Sequence, residues 1–412
     1  MAMSSRERVL AAVAHREADR VPVDLGGSIM SGIMAQPLDR LRKHLGMADR
    51  PVKVYEVYQM LGEVEADLVE RLGIDVLPVE PPAIFFGLRR EGWKPWRLFD
   101  GTAVLVPGQF DVEVDASGDW LLHKGGDPAK PVVGRMPKGG YYFDTAGDMS
   151  LHLDFEPPAL SEVEKGYRQP IPSARLEYLA AEAERLRATG KALFLGAWGS
   201  FGPPTVGNLP DFLALMAADE AYVDRLFEIA ADSQRSRLEQ LHEAVGDRID
   251  IFGIDGTDMG TQRAEMFRPE HFERWYLPYY RAINGWVHGH TSWKTWKDSC
   301  GSIPKFMAYL AASGLDCINP VQCSAAGMDP RRLKEEFGDR LTFWGGGVDT
   351  QKTLPFGTPE QVYDEVAERL RVFGPGGGFV FNPVHNVQAN TPPENIEAMF
   401  EAIRDHGTYL ID

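Results

Sequence analysis

Eight short apolar runs, separated by longer stretches with helical periodicity, dominate the chain: Val21–Leu25, Asp75–Val79, Ala192–Trp198, Ile249–Ile254, Lys294–Lys297, Leu315–Asn319, Leu341–Trp344 and Gly378–Phe381. Most are apolar at nearly every position, as parallel strands are when both faces are covered. The intervening stretches mark their own ends. Ser4 and Glu7 form a capping-box pair ahead of Val9, Leu10 and Val13 on one helical face. Thr358, Pro359 and Gln361 supply an N-cap, a first-turn proline and a box partner, and Val362, Val366 and Leu370 then line one face up to Gly374. Thr391 and Glu394 repeat the device before Ile396, Met399, Phe400 and Ile403. Eight strands alternating with helices predict an α/β fold, a single (β/α)8 TIM barrel over residues 1–412, since open doubly wound sheets usually hold fewer strands.

One tract breaks the rhythm. From about Phe85 to Gly166 the pattern predicts no helix, but alternating stretches at Thr102–Val106 and Phe110–Val114 and a turn at Ala116–Asp119 before Trp120. The expectation is an antiparallel β insertion at about 85–166, after the second strand, acting either as a lid over one end of the barrel or as an excursion without a role.

Composition narrows the partners. Forty-three Lys and Arg against 60 Asp and Glu give a net charge of −17, a field that repels nucleic acid and anionic membranes. No apolar run approaches the roughly 18 residues needed for a membrane span. Met1–Arg20 is charged throughout, without the apolar core of a signal peptide. The three cysteines Cys300, Cys317 and Cys323 are too few and too clustered for a disulfide framework, so a cytoplasmic location is expected.

Barrel enzymes carry their chemistry where strands end. The polar residues there are Asp24, Glu80, Asp255, Asp258, Gln262, Asp298, Cys300, Asn319, Gln322, Cys323, Asp349, Asn382, His385 and Asn386. Each taken alone has an equally good structural role; their convergence on one rim is what informs. Cys300, just past the fifth strand, and His385, past the eighth, face the same mouth in this scheme. With Asp298 they make an acceptable zinc set with an open position, able to hold a thiol substrate as thiolate or to activate water. A half-buried cysteine and a histidine bonded to backbone is the competing reading. Cys317 is expected in the core. Asp255 and Asp258 serve as a general acid/base pair, as substrate hydrogen-bond partners, or structurally. Gly345-Gly346-Gly347 either lets backbone approach a phosphate or flat ring, or relieves crowding. Trp198, Phe201, Trp293 and Trp296 supply apolar surface near the rim.

Several motifs resemble the uroporphyrinogen decarboxylase superfamily nearly end to end: Ser5-Arg6-Glu7-Arg8-Val9, Asp19-Arg20-Val21-Pro22-Val23-Asp24, Asp258-Met259-Gly260-Thr261-Gln262, Ser299-Cys300-Gly301-Ser302-Ile303, Asn319-Pro320-Val321-Gln322 and Asn382-Pro383-Val384-His385-Asn386. The resemblance implies the same barrel. The arginine-bearing N-terminal run of the decarboxylase itself has no counterpart here; Val21–Gly27 stands in its place, and no arginine follows Arg20 until Arg40. The corrinoid-linked methyltransferases are the better match. In them a His-x-Cys pair and a later cysteine hold zinc; here Cys300 keeps its place, Asp298 occupies the histidine position and His385 lies where the later cysteine would fall.

The resemblance therefore implies an enzyme moving a methyl group between methylcobalamin on a corrinoid-carrying partner protein and a small thiol or folate. Cys300, His385 and Asp298 would hold the metal. Asp255, Asp258 and Asp298 would be catalytic, and Asp24, Glu80, Gln262, Asn319, Gln322, Asp349 and Asn382 would bind substrate. A homodimer is the expected assembly. The alternatives are a metal-independent decarboxylase or lyase, and a barrel that binds a ligand without catalysis.

Overall fold

The computed structural model describes residues 3–145, 147, 150–196 and 201–409. Its central feature is a curled seven-stranded parallel sheet of TIM-like type. The strands are Val76–Pro78 (β1), Ala192–Gly196 (β2), Ile251–Asp255 (β3), Lys294–Asp298 (β4), Cys317–Asn319 (β5), Thr342–Trp344 (β6) and Phe379–Val380 (β7). They lie side by side in chain order, every neighbouring pair parallel. Helices cross over between most of them, the geometry that right-handed βαβ connection dictates. The reading of Ala192–Trp198 as a strand holds through Gly196; Trp198 lies outside the described residues.

Val21–Leu25 is bonded to both edges of this sheet without forming a regular strand. Asp24 N donates to Phe381 O and Phe381 N to Pro22 O, while Asp75 N donates to Val23 O, each at 2.8 Å. The ladder is interrupted for two local reasons. Pro22 has no N–H to give, and Val23 N donates instead to the Asp75 carboxylate at 2.9 Å.

The interior of the curl is filled by Phe194, Trp296, Trp344, Ile251, Cys317 and Val380, with Val9, Ala12 and Val13 of the helix Ser5–Val13 packed against them. Trp296 meets Phe194 edge-on at 4.9 Å. Trp296 and Trp293 are therefore core rather than rim surface, as is Cys317. The caps at Ser4 and Thr358 are both reciprocal capping boxes. Thr391 does not cap: the last helix, Pro393–His406, begins behind Pro392, and the Thr391 hydroxyl is buried without a partner.

Between β1 and β2 the strands Val112–Val114, Trp120–His123, Val132–Met136 and Asp144–Thr145 pair antiparallel in that order. Lys94–Arg97 and Ala103–Val106 also pair antiparallel, and the latter joins the strand Val52–Glu56 in parallel. Trp96 holds the pieces together, meeting Phe110 at 5.1 Å and Trp120 at 5.7 Å. The helix Leu160–Tyr167 falls inside the tract expected to have none. It has no side-chain cap to announce it and carries Gly166 in its last turn, so its sequence signal is weak.

Candidate functional site

The carboxyl ends of β3 and β4 are locked together by one buried cation. Lys297, fully enclosed, pairs with the Asp255 carboxylate at 2.8 Å and donates to Thr257 O at 2.9 Å and Asp298 O at 2.7 Å. Tyr280 donates its hydroxyl to the same Asp255 oxygen, and Thr257 donates its N–H and hydroxyl to the other at 2.9 and 2.7 Å. Both Asp255 oxygens are thus held, and its place in the structure is that of a pillar beneath the rim loops.

Above this pillar two loops touch through glycine. A Cβ on Gly301, whose φ is +91°, would stand 2.4 Å from Gly260 carbonyl atoms. Only glycine permits both that backbone angle and that approach. Ser302 N donates to Thr261 O at 2.7 Å, and Met259 N to the Ser299 hydroxyl at 3.0 Å. The contact brings Asp258, Asp298 and Cys300 together, with one donor atom of each within 4.8 Å of the others.

The three sit in different surroundings. Asp258 is exposed and accepts the Cys300 N–H at 2.7 Å. Asp298 is 1% exposed, and among the described residues its Oδ1 has no hydrogen-bond partner. Burial, followed by the neighbouring Asp258 charge, pushes the Asp298 carboxyl well above the usual carboxylate range. Burial, Asp298 and Asp258 likewise push the Cys300 thiol well up. Two acids and a thiol so close repel as anions; a divalent cation among them removes that repulsion and favours the deprotonated donors.

His385 is not part of this group. Its Nδ1 accepts the Asn386 N–H at 2.8 Å, and it lines a neighbouring cleft of about 540 Å³ with Tyr58, Gln59, Gln351 and Phe356. Burial lowers its affinity for a proton, and the Asp258 charge works against that. Of the expected set Cys300, His385 and Asp298, the close group among the described residues holds Cys300 and Asp298, with Asp258 and without His385.

Other rim residues make bonds within the chain. Asp24 accepts Gly27 N and Trp344 Nε1, each at 2.8 Å, and burial raises its carboxyl to about 6. Gln322 accepts Gly301 N at 2.8 Å, fixing the cysteine loop from β5. Asp349 caps a turn by accepting Gln351 N and Lys352 N. Gln262 is at the surface, bonded to Gln351 at 3.1 Å. Asn319 and Asn382 donate to Trp344 O and Asp24 O, and the amide oxygen of each is buried without a partner. Cys323 packs against the core, its thiol raised by burial to about 12. The glycine run relieves crowding: a Cβ on Gly346 or Gly347 would run into Val321 or Phe381.

A cleft of about 630 Å³ opens beside the pillar, lined by Glu56, Tyr58, Glu80, Phe85, Arg175 and Asp255 among others. Glu80 was expected at the rim and is there. Glu56 was missed. It ends the strand Val52–Glu56, whose short run Val52-Lys53-Val54-Tyr55 was the available signal. Burial raises the Glu56 carboxyl to about 7, although Tyr58 N and Gln59 N both donate to it.

A TIM-like sheet with its polar cluster at the strand ends is the architecture of a barrel enzyme, and the comparisons specify which kind. Residues 202–406, just under half of the chain, match the family described as uroporphyrinogen decarboxylase (URO-D). It is 33% identical over 95 residues to a uroporphyrinogen decarboxylase from Psychromonas ingrahamii, covering 22% of this chain and 26% of that protein. To the one from Aromatoleum aromaticum it is 26% identical over 276 residues, covering 62% of this chain and 71% of the relative. The match thus spans about a quarter of the first relative's length. A methyltransferase from Methanosarcina mazei shares the fold, with a TM-score of 0.57 and 15% identity, covering 98% of this chain and 99% of that one.

Proposed function

We propose that this chain is a metal-assisted methyltransferase of the superfamily, a single (β/α)8 barrel that moves a methyl group between methylcobalamin on a corrinoid-carrying partner protein and a small thiol or folate. The observation that carries the reading is the meeting of Asp258, Asp298 and Cys300 at the strand ends, with the Asp298 oxygen left unpartnered.

A thiolate and two carboxylates are donors zinc accepts, and three protein donors leave a position for a substrate. The orphaned Asp298 oxygen fits a cation better than it fits water-free burial. When bound, zinc supplies a Lewis acid that favours the thiolate form of a coordinated thiol. The chain's own part is positioning. Lys297 and Asp255 hold the β3 and β4 ends in register, Gln322 fixes the Cys300 loop, and the cleft beside Asp255 receives the substrate.

The test has two arms. Purified protein is analysed for metal, and it is incubated with methylcobalamin and candidate thiol or folate acceptors while the cobalamin spectrum is followed. Stoichiometric zinc with acceptor-dependent demethylation is the expected result; neither zinc nor spectral change with any acceptor overturns it. The relatives named uroporphyrinogen decarboxylase favour a second reading, a metal-independent decarboxylase. Against it stands the cleft's lining: beside the Asp255 carboxylate, already paired with Lys297, it presents Glu56 and Glu80 and a single arginine, a poor match for a polyacidic porphyrinogen.

A further inference from the structure

The 630 Å³ cleft is lined by two groups of opposite charge, Glu80 and Arg175, that make no hydrogen bond or ion pair with one another or with other charged groups among the described residues. Glu80 is only 5% exposed, yet among the described residues no hydrogen bond or ion pair reaches its carboxylate. A buried acid without a hydrogen-bonded countercharge recovers only part of its desolvation cost until a ligand supplies one. Glu56 lies near enough for Glu80 to raise it, and the one cation that acts on Glu80, Arg90, does so at a distance, without a hydrogen bond or ion pair to its carboxylate. The aromatic wall beside them suits a cation as well: Tyr58 and Phe85 stack at 5.2 Å and line the same cleft.

Arg175 presents the opposite case. It projects from the helix Ser173–Arg187, lines the cleft, is half-buried, and its guanidinium has no acid partner among the described residues. Its neighbour in the adjoining small pocket is Arg237, a like charge, so an anion there would relieve both desolvation and repulsion.

Glu80 and Arg175 share one cavity and do not pair with each other. Two opposite charges lining one cavity, neither of them ion-paired among the described residues, make a binding site for a molecule that carries both. We propose that the cleft takes a zwitterion of the amino-acid type, its ammonium group against Glu80 and Glu56 and its carboxylate against Arg175. This names the substrate class of the site and rests on the reading of the barrel mouth as the place where substrate binds.

Calorimetric titration of the full chain tests it without turnover. The probes are ω-amino carboxylates of increasing chain length, with methylammonium and acetate as singly charged controls. At least one zwitterion is expected to bind about tenfold or more tightly than either control. Glu80→Gln, an isosteric change, removes the advantage over acetate, and Arg175→Met, which keeps the apolar stem, removes the advantage over methylammonium. Melting temperatures establish that both variants are folded. Zwitterions that bind no better than the controls, or an advantage that survives both substitutions, overturn the proposal. Because binding is read in the absence of methylcobalamin and metal, its failure leaves the methyl-transfer test standing, and the reverse holds too.

Discussion

The two ends of the curled sheet treat the same kind of side chain in opposite ways. At the amino ends of the strands every buried aspartate has its guanidinium. Asp75 accepts from Arg8 at 2.7 Å, from Arg20 at 2.7 Å and from Val23 N at 2.9 Å. Asp250 accepts from Arg6 at 2.7 Å, from Arg187 at 3.0 Å and from Leu193 N at 3.0 Å. Asp19, held by Arg8, is lowered to about 2. At the carboxyl ends, among the described residues, Asp298 has a bare oxygen, Glu80 makes no hydrogen bond or ion pair, and Glu56 is raised to about 7. One end commits its charges to holding the barrel together; the other, apart from the Asp255–Lys297 pair, leaves several acids without an ion pair, which costs stability and leaves them available to a ligand.

The contrast is most severely tested at Asp75. Asp75→Asn strips a buried acid from two arginines and should destabilise by about 3 kcal/mol, the low end for breaking a buried pair because Arg8 keeps Asp19. Urea denaturation measures it. A loss below about 1 kcal/mol, the scale of an exposed pair, would mean that the amino-end network is ornament.

Glu56 should give the pH signature of the other end. Its carboxyl rises from 4.5 to about 7 on folding, so the folded state holds the proton more tightly. The stability it contributes is fully present below pH 4.5 and is lost as pH rises through 7, a swing of about 3 kcal/mol. Asp19, lowered from 3.8 to about 2, acts in the reverse direction and only in acid. Glu56→Gln should therefore flatten the decline in urea midpoint between pH 5 and 8, relative to the unsubstituted protein. An unchanged decline would show that Glu56 is not the group responsible.

Asp298→Asn separates the ends in a different manner. Removing an acid that is buried and unpartnered should leave the urea midpoint unchanged or raised. Zinc affinity, read by competition with a chromophoric chelator, should fall by at least about 100-fold, the upper end of what even a ligand's supporting partner costs. A protein that loses stability but still binds zinc as before would place Asp298 with the structural acids of the other end.

The sequence makes one end far more legible than the other. Apolar runs locate β1 to β7 because continuous burial leaves a signal at each residue, and the capping boxes at Ser4 and Thr358 are local in sequence. The strand Val52–Glu56 escapes notice, as it pairs in parallel with Ala103–Val106 across a long loop. At the rim, the expected meeting of Cys300 and His385 assumes that all strand ends are equally close. What brings Asp258 beside Cys300 is the contact between Gly260 and Gly301, a fact about two backbones distant in the chain. Asp255 and Asp258 look equivalent as a sequence pair. Only the buried Lys297, reaching from the next strand, separates the pillar from the exposed donor.

Thr391 offers the smallest and cleanest test, because it sits in the loop after β7 and carries an unpartnered polar group of its own. As a sequence it looks like the cap at Thr358. In the structure the Thr358 hydroxyl accepts Gln361 N at 3.3 Å and Gln361 returns the bond to Thr358 N at 2.9 Å, whereas the Thr391 hydroxyl is buried with none. Thr358→Val should therefore cost about 1 kcal/mol. Thr391→Val, which replaces the hydroxyl with a methyl of similar size, should be neutral or stabilise by up to about 1 kcal/mol. If thermal melts show equal losses for both, Thr391 has a partner, and the carboxyl-end rule of unsatisfied groups would not extend beyond the acids that face the cleft and the metal cluster.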